Sequence, residues 1–279
     1  MERIDLDAVI RHRAPRQYSR IPRWVIRGVE RFICQDGLNQ ILNEAGDCRD
    51  ADFCRSVINQ LDLSYTLEGR GNMPEPGAGS RVIFTCNHPL GALDGIIIID
   101  MLSAIYGKGI KFIVNDLLNA VEPLRGVFLP INKHGAQSRE AVAAIENAMA
   151  GNDPLIVFPA GLCSRASWTG KVADLEWNKM FVVKAIQHHR DIIPLHFDGK
   201  NSRSFYISAK LRQALGIKLN LEMIHLPREI FKSRHHHYTI TAGKRISWES
   251  LRGGTQAAAT AARLRDMTYS LSDHKQQHV

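Results

Sequence analysis

The stretch Arg81-Val82-Ile83-Phe84-Thr85-Cys86-Asn87-His88-Pro89-Leu90-Gly91-Ala92-Leu93-Asp94 leads from β-branched and aromatic residues into a turn containing Pro and Gly, and then into an apolar run. Arg81 to Thr85 reads as a buried strand, because such side chains pack well on a pleated surface. On one unbroken helix His88 and Asp94 would stand about 600° of rotation apart and would not share a face. Pro89 and Gly91 predict a turn between them, with His88 in the loop leaving the strand and Asp94 in the first turns of the following helix. A carboxylate returned to the imidazole fixes its tautomer and stabilises the imidazolium, leaving the other ring nitrogen to take a proton. The pair is a candidate general-base dyad at the carboxyl end of a strand, where open α/β sheets place their chemistry.

Upstream, Asn72 to Ser80 is rich in Pro and Gly and predicts a turn, Ser64 to Gly69 a short strand, and Asp52 to Leu61 a helix. Residues from about 20 to 60 read as helical, starting after Ile21-Pro22. Trp24, Val25, Gly28, Val29, Phe32 and Ile33 fall on one face and Arg20, Arg23, Arg27 and Arg31 flank it. Such a basic amphipathic helix either packs on the core or lies in the headgroup layer of a membrane. Downstream come a helix from Gly95 to Tyr106, a strand from Lys111 to Val114, and a punctuated segment through Val127-Phe128-Leu129-Pro130. A helix capped by Ser138 runs to Ala150, and a strand covers Pro154 to Phe158. A helix from Leu175 to His189 and strands at Ile192 to His196 and Tyr238 to Ala242 complete the set. Strands alternating with helices predict an α/β fold with a largely parallel central sheet flanked by helices and an N-terminal helical arm. The expected organisation is an arm over 1–60, a catalytic domain over 61–250 and a helical tail over 251–279.

The formal charge of +8 and the pI near 9.4 favour an anionic partner without choosing among nucleic acid, phospholipid headgroups and acidic carrier proteins. Five scattered cysteines, Cys34, Cys48, Cys54, Cys86 and Cys163, have no paired metal-ligand spacing and suit reduced thiols in the cytoplasm. The N-terminus lacks the pattern of a secretory signal. The apolar runs Ile96 to Leu102 and Val127 to Ile131 fall far short of the roughly 20 residues of a membrane span, so membrane contact is expected to be peripheral, at the inner face of the cell membrane. His235-His236-His237 reads as an exposed linker and no metal site is expected. Neither a nucleophile elbow, a Walker loop nor a dinucleotide fingerprint occurs.

The segment Asn87 to Asp94 resembles the first motif block of the glycerolipid acyltransferase superfamily, the acylglycerol-phosphate and lysophospholipid acyltransferases. There a His and an Asp separated by four residues form the catalytic dyad; here five residues intervene, as in a bacterial branch of the superfamily. Val157-Phe158-Pro159-Ala160-Gly161-Leu162-Cys163-Ser164-Arg165 is similar to the third block, Phe-Pro-Glu-Gly-Thr-Arg-Ser, with Ala160 in place of Glu and Cys163 in place of Arg. That resemblance implies acceptor binding by Gly161, Ser164 and Arg165, the guanidinium gripping an anion. Leu124 to Lys133 resembles the second block and implies acceptor roles for Gly126 and Lys133. Asp191-Ile192-Ile193-Pro194-Leu195 resembles the fourth, whose Pro194 would shape the acyl-chain site. The resemblance spans roughly residues 60 to 250.

It implies an enzyme of lipid biosynthesis that needs no bound cofactor. Acyl carrier protein or coenzyme A would bring a fatty acyl thioester, His88 would deprotonate the hydroxyl of a lysophospholipid such as lysophosphatidic acid, and N–H groups near Gly91 or Gly161 would face the oxyanion. The altered third block leaves a second acceptor class open, a lyso-amino-acid lipid such as lyso-glycine or lyso-ornithine lipid. A non-catalytic membrane or nucleic-acid binding protein is the competing class; a nucleic-acid partner is not expected, because no recognised module or basic stripe with interleaved aromatics occurs.

Overall fold

The computed structural model describes residues 3–13, 15–77, 81–115, 121–131, 139–216 and 221–273. Helices α1 (Leu6–Arg13), α2 (Pro15–Tyr18), α3 (Arg23–Phe32), α4 (Gln35–Ala45) and α5 (Asp50–Gln60) precede strand β1 (Ser64–Glu68). Then follow β2 (Val82–Cys86), α6 (Leu93–Tyr106), β3 (Lys111–Asn115), β4 (Phe128–Ile131), α7 (Arg139–Ala150) and β5 (Leu155–Val157). A two-residue hairpin, β6 (Arg165–Ala166) and β7 (Val172–Ala173), leads to α8 (Met180–Gln187), β8 (Asp191–Asp198), α9 (Arg203–Ala214), α10 (Leu226–Lys232), β9 (His237–Ala242) and α11 (Ala257–Asp273).

Seven strands form one sheet in the order β1-β9-β8-β2-β5-β3-β4. The β8–β9 pair is antiparallel and every other neighbouring pair is parallel, so the expected largely parallel sheet is present. Central β2 is buried along its whole length because helices cover both faces. Its pleat divides the core: Val82, Phe84 and Cys86 join the cluster under α4, α5 and α6, while Ile83 joins the cluster under α8 and α11. Helix α6 is apolar around most of its circumference and accordingly buried.

Both ends of the chain pack on this frame. Asn39 of α4 accepts a hydrogen bond from the Ile4 amide and donates one to the Ile4 carbonyl. Ala257, Ala261 and Leu264 of α11 are buried against Ile192 and Phe181. The basic amphipathic helix appears as α3, but its face is divided: Ile26 is buried, Phe32 packs edge-on to His225 at 4.8 Å, and Trp24 is 76% exposed.

Three boundaries differ from the sequence reading. The helix expected from Leu175 starts at Met180, because Asp174 and Trp177 are bonded to each other and Asn178 donates to the Pro159 carbonyl. Residues 203–214 conceal a helix in the sequence because both its inner and outer faces are apolar. His237 opens β9, with its ring nitrogens against Ser64 and Thr66. The Ser138 cap lies outside the described residues.

One buried cation closes the amino end of β2. Arg190, fully buried, donates to the carbonyls of Ala148, Met149, Gly151, Asp153 and Val82, capping the end of α7. Burial lowers its guanidinium to about 10. Arg190→Met leaves those carbonyls without their donor, and is expected to lower stability by about 3 kcal/mol or more in urea denaturation. An unchanged midpoint would refute this capping role.

Candidate active site

The carboxyl ends of β2, β5 and β8 converge where the chain must turn. Leaving β2, Asn87 locks onto neighbouring β8: its amide donates to the Phe197 carbonyl and its oxygen accepts from the Phe197 amide. His88 follows at the surface of the loop. Gly91 turns the chain with φ +80°, and a Cβ there would lie 2.9 Å from Leu226 and 3.2 Å from Cys163, so the turn requires glycine twice over. Helix α6 then begins at Leu93, with Asp94 in its first turn, where the macrodipole favours a carboxylate.

Asp94 is fully buried. Its Oδ2 accepts hydrogen bonds from His88 Nδ1 at 2.9 Å, the Leu90 amide at 2.9 Å and the Gly91 amide at 3.3 Å, while Oδ1 accepts from the Gly95 amide. The carboxylate only accepts, so Nδ1 carries the proton and Nε2 presents its lone pair. Among the described residues nothing hydrogen-bonds Nε2, and the His88 side chain keeps 15% of its surface open. Phe158 stacks on the imidazole at 4.1 Å, and Phe112 braces Phe158 edge-on at 4.9 Å. The result is an oriented base beside an apolar wall, a geometry suited to removing a proton from a hydroxyl.

The third block is brought to this loop. The Ser164 amide donates to the His88 carbonyl, and the Gly161 turn (φ +61°) precedes it. Its side chains are already engaged, however. The Ser164 hydroxyl donates to Asp174 at 2.6 Å. Arg165 is buried, donates to the Cys163 carbonyl, and pairs with Glu222 Oε1 at 2.7 Å. Arg212 Nε lies 2.7 Å from the other Glu222 oxygen, an ion pair by distance without the alignment of a hydrogen bond. The guanidinium of Arg165 thus serves a buried internal carboxylate and not an open anion site. Of the amides in the two turns expected to face the oxyanion, that of Gly91 donates to Asp94 and that of Gly161 to the Phe158 carbonyl.

Other residues singled out in the sequence lie apart. Gly126 precedes β4 at the amino ends of the strands, against the Asp50 carboxylate, and is not brought to His88. Pro194 stands within β8 beside Thr85, close against Gly243, and forms no hydrogen bond with His88 or Asp94. Lys133 lies outside the described residues.

Two residues that the sequence reading missed hold the loop from behind. Asp174, nearly buried, accepts from the His88 amide, the Ser164 hydroxyl and Trp177 Nε1. Tyr269 and Arg265 of α11 bind its backbone. Asn201, after β8, donates to the Pro89 and Leu90 carbonyls and to Cys163 Sγ. A carboxylate 86 residues from His88 leaves no local periodicity to read. Burial pushes the Cys163 and Cys86 thiols well above the ordinary range, which makes neither a nucleophile at neutral pH.

A family model described as acyltransferase matches residues 8–276 of the chain, and the chain belongs to that family. The match extends over the helical ends as well as the central region, and the enzyme is an acyltransferase. Two curated relatives, from Bacteroides thetaiotaomicron and Phocaeicola vulgatus, are 39% and 38% identical over 268 residues; each carries the name lyso-glycine lipid O-acyltransferase. The alignments cover 96% of this chain and 97% and 95% of the relatives. A solved 1-acyl-sn-glycerophosphate acyltransferase, PlsC from Thermotoga maritima, is similar with a TM-score of 0.47 and 17% identity, covering 90% of this chain and 92% of its own.

His88→Ala is expected to abolish turnover, and Asp94→Asn to reduce kcat by roughly 10³-fold or more, with circular dichroism unchanged in the histidine variant. Near-normal transfer by the histidine variant would exclude it as the base. Asp174→Asn places an amide where three donors converge; kcat should fall by about 10²-fold with KM for the acceptor little altered. If KM rises instead while kcat stays put, Asp174 serves substrate binding and not the posture of His88.

Proposed function

We propose that this acyltransferase moves a fatty acyl group from a thioester, carried by acyl carrier protein or coenzyme A, to the free hydroxyl of a lyso-amino-acid lipid, with lyso-glycine lipid as the acceptor. His88 Nε2 takes the hydroxyl proton while the oxygen attacks the thioester carbonyl. The tetrahedral adduct then expels the thiolate, which recovers the proton from the imidazolium. Asp94 holds the Nδ1 proton throughout and stabilises the cation formed between the two steps.

The observation that carries the acceptor is the pairing of Arg165 with Glu222. A phosphomonoester such as that of lysophosphatidic acid is best gripped by an open guanidinium fork. Here Cys163 stands at that block's arginine position and Arg165, two residues on, is buried against Glu222, which supports an acceptor without that demand. The near-full-length relatives named for lyso-glycine lipid support the same choice.

No helix among the described residues is long and apolar enough to cross a membrane. An enzyme acting on a lipid then reaches its acceptor from the bilayer surface, and α3, with Trp24 exposed beside Arg23 and Arg27, suits a peripheral contact there.

Assay of lyso-glycine lipid, lyso-ornithine lipid and lysophosphatidic acid, each with acyl carrier protein and coenzyme A donors, is expected to give kcat/KM at least about tenfold higher for lyso-glycine lipid than for lysophosphatidic acid. The reverse order overturns the acceptor and leaves acyl transfer standing.

A further inference from the structure

Helix α9 turns apolar residues both ways. Phe205, Tyr206 and Ala209 face inward, and Phe205 and Tyr206 cluster with Cys163 and Leu226. On the opposite side Ile207 is 63% exposed, Leu211 59% and Leu215 65%. Their spacing of four keeps them in one stripe, offset by about 40° per step. Trp168, at the tip of the β6–β7 hairpin, is 80% exposed, and Lys210 of α9 lies over its ring at 5.7 Å. Stripe and tip are therefore joined into one patch.

Arg203 is exposed and Lys210 half-buried on α9, Arg212 is held by Glu222, and neither α9 nor residues 165–173 contain an Asp or Glu; Lys171 of the hairpin shares a cleft with the exposed Asp266 of α11. Large aliphatic side chains in one stripe, a tryptophan at the margin and the cations of α9 beside them match the layered chemistry of an anionic bilayer, apolar within and negative at the surface. An acidic carrier protein would be met by the cations alone and leave the aliphatic stripe unexplained. The patch is also near the chemistry: the inner face of α9 touches Cys163, which donates to the Pro89 carbonyl next to His88. One helix diameter, about 10 Å, separates it from that loop.

We infer that α9 and the Trp168 hairpin form a membrane-docking face, distinct from Trp24, that seats the active-site loop against an anionic lipid surface. The choice of partner rests on the lyso-lipid reading above.

The test is sedimentation of the full chain with vesicles of phosphatidylglycerol and phosphatidylcholine. In Ile207→Ser/Leu211→Ser, and separately in Trp168→Ala, the vesicle partition coefficient should fall by about tenfold or more, whereas Ile207→Leu/Leu211→Ile retains it. Turnover of a short-chain lyso-acceptor below its micellar concentration should be unchanged in all of them. Binding equal to the parent in both the serine variant and Trp168→Ala overturns the inference, whatever Trp24→Ala does. Retained vesicle binding with loss of self-association in sedimentation equilibrium assigns the patch to a second copy. Retained vesicle binding with a raised KM for acyl carrier protein assigns it to the donor, and either result refutes the membrane face. A parent that binds vesicles but does not acylate the short-chain acceptor fails the lyso-lipid reading and not the docking face.

Discussion

The active centre depends on one buried oxygen, Oδ2 of Asp94. A carboxylate this deep persists as an anion only if donors surround it, and those donors are the His88 ring and the amides of Leu90 and Gly91. Satisfying the charge therefore folds the loop. Between His88 and Asp94 the chain turns at Gly91, whose positive φ and close packing under Leu226 and Cys163 leave room for no side chain. The dyad and the turn that builds it are one electrostatic solution.

Around that oxygen the chain supplies further restraints from distant segments. Asn87 ties the loop to β8, Asn201 holds its carbonyls, and Asp174 holds the His88 amide while its own backbone is bound by α11. An imidazole aligned this way has little motion left to lose when a reacting group meets it. The C-terminal helix belongs to this support because its alanines let it approach β8 closely.

Ser164 and Arg165 lie beside the His88 loop, and their polar groups face Asp174 and Glu222. A buried guanidinium with a carboxylate partner is costly to extract, so it stabilises the ground around α9 and the hairpin more than it attracts an external anion.

The alternation of strands and helices, the buried strand before His88 and the need for a turn between His88 and Asp94 were legible in the sequence, because periodicity, β-branching and Pro-Gly punctuation act over a few residues. The short helix after Lys179, the helix at 203–214 and the roles of Asp174 and Asn201 were not. They arise from hydrogen bonds and packing between segments tens of residues apart, and at α9 from apolar residues on both faces, which erase the amphipathic signal. What the sequence by itself determined is the strand–loop–helix unit that carries the base. Which cations face a ligand was decided only by the tertiary structure, since a guanidinium's partner is set by the carboxylate that burial brings to it and not by its neighbours in the chain.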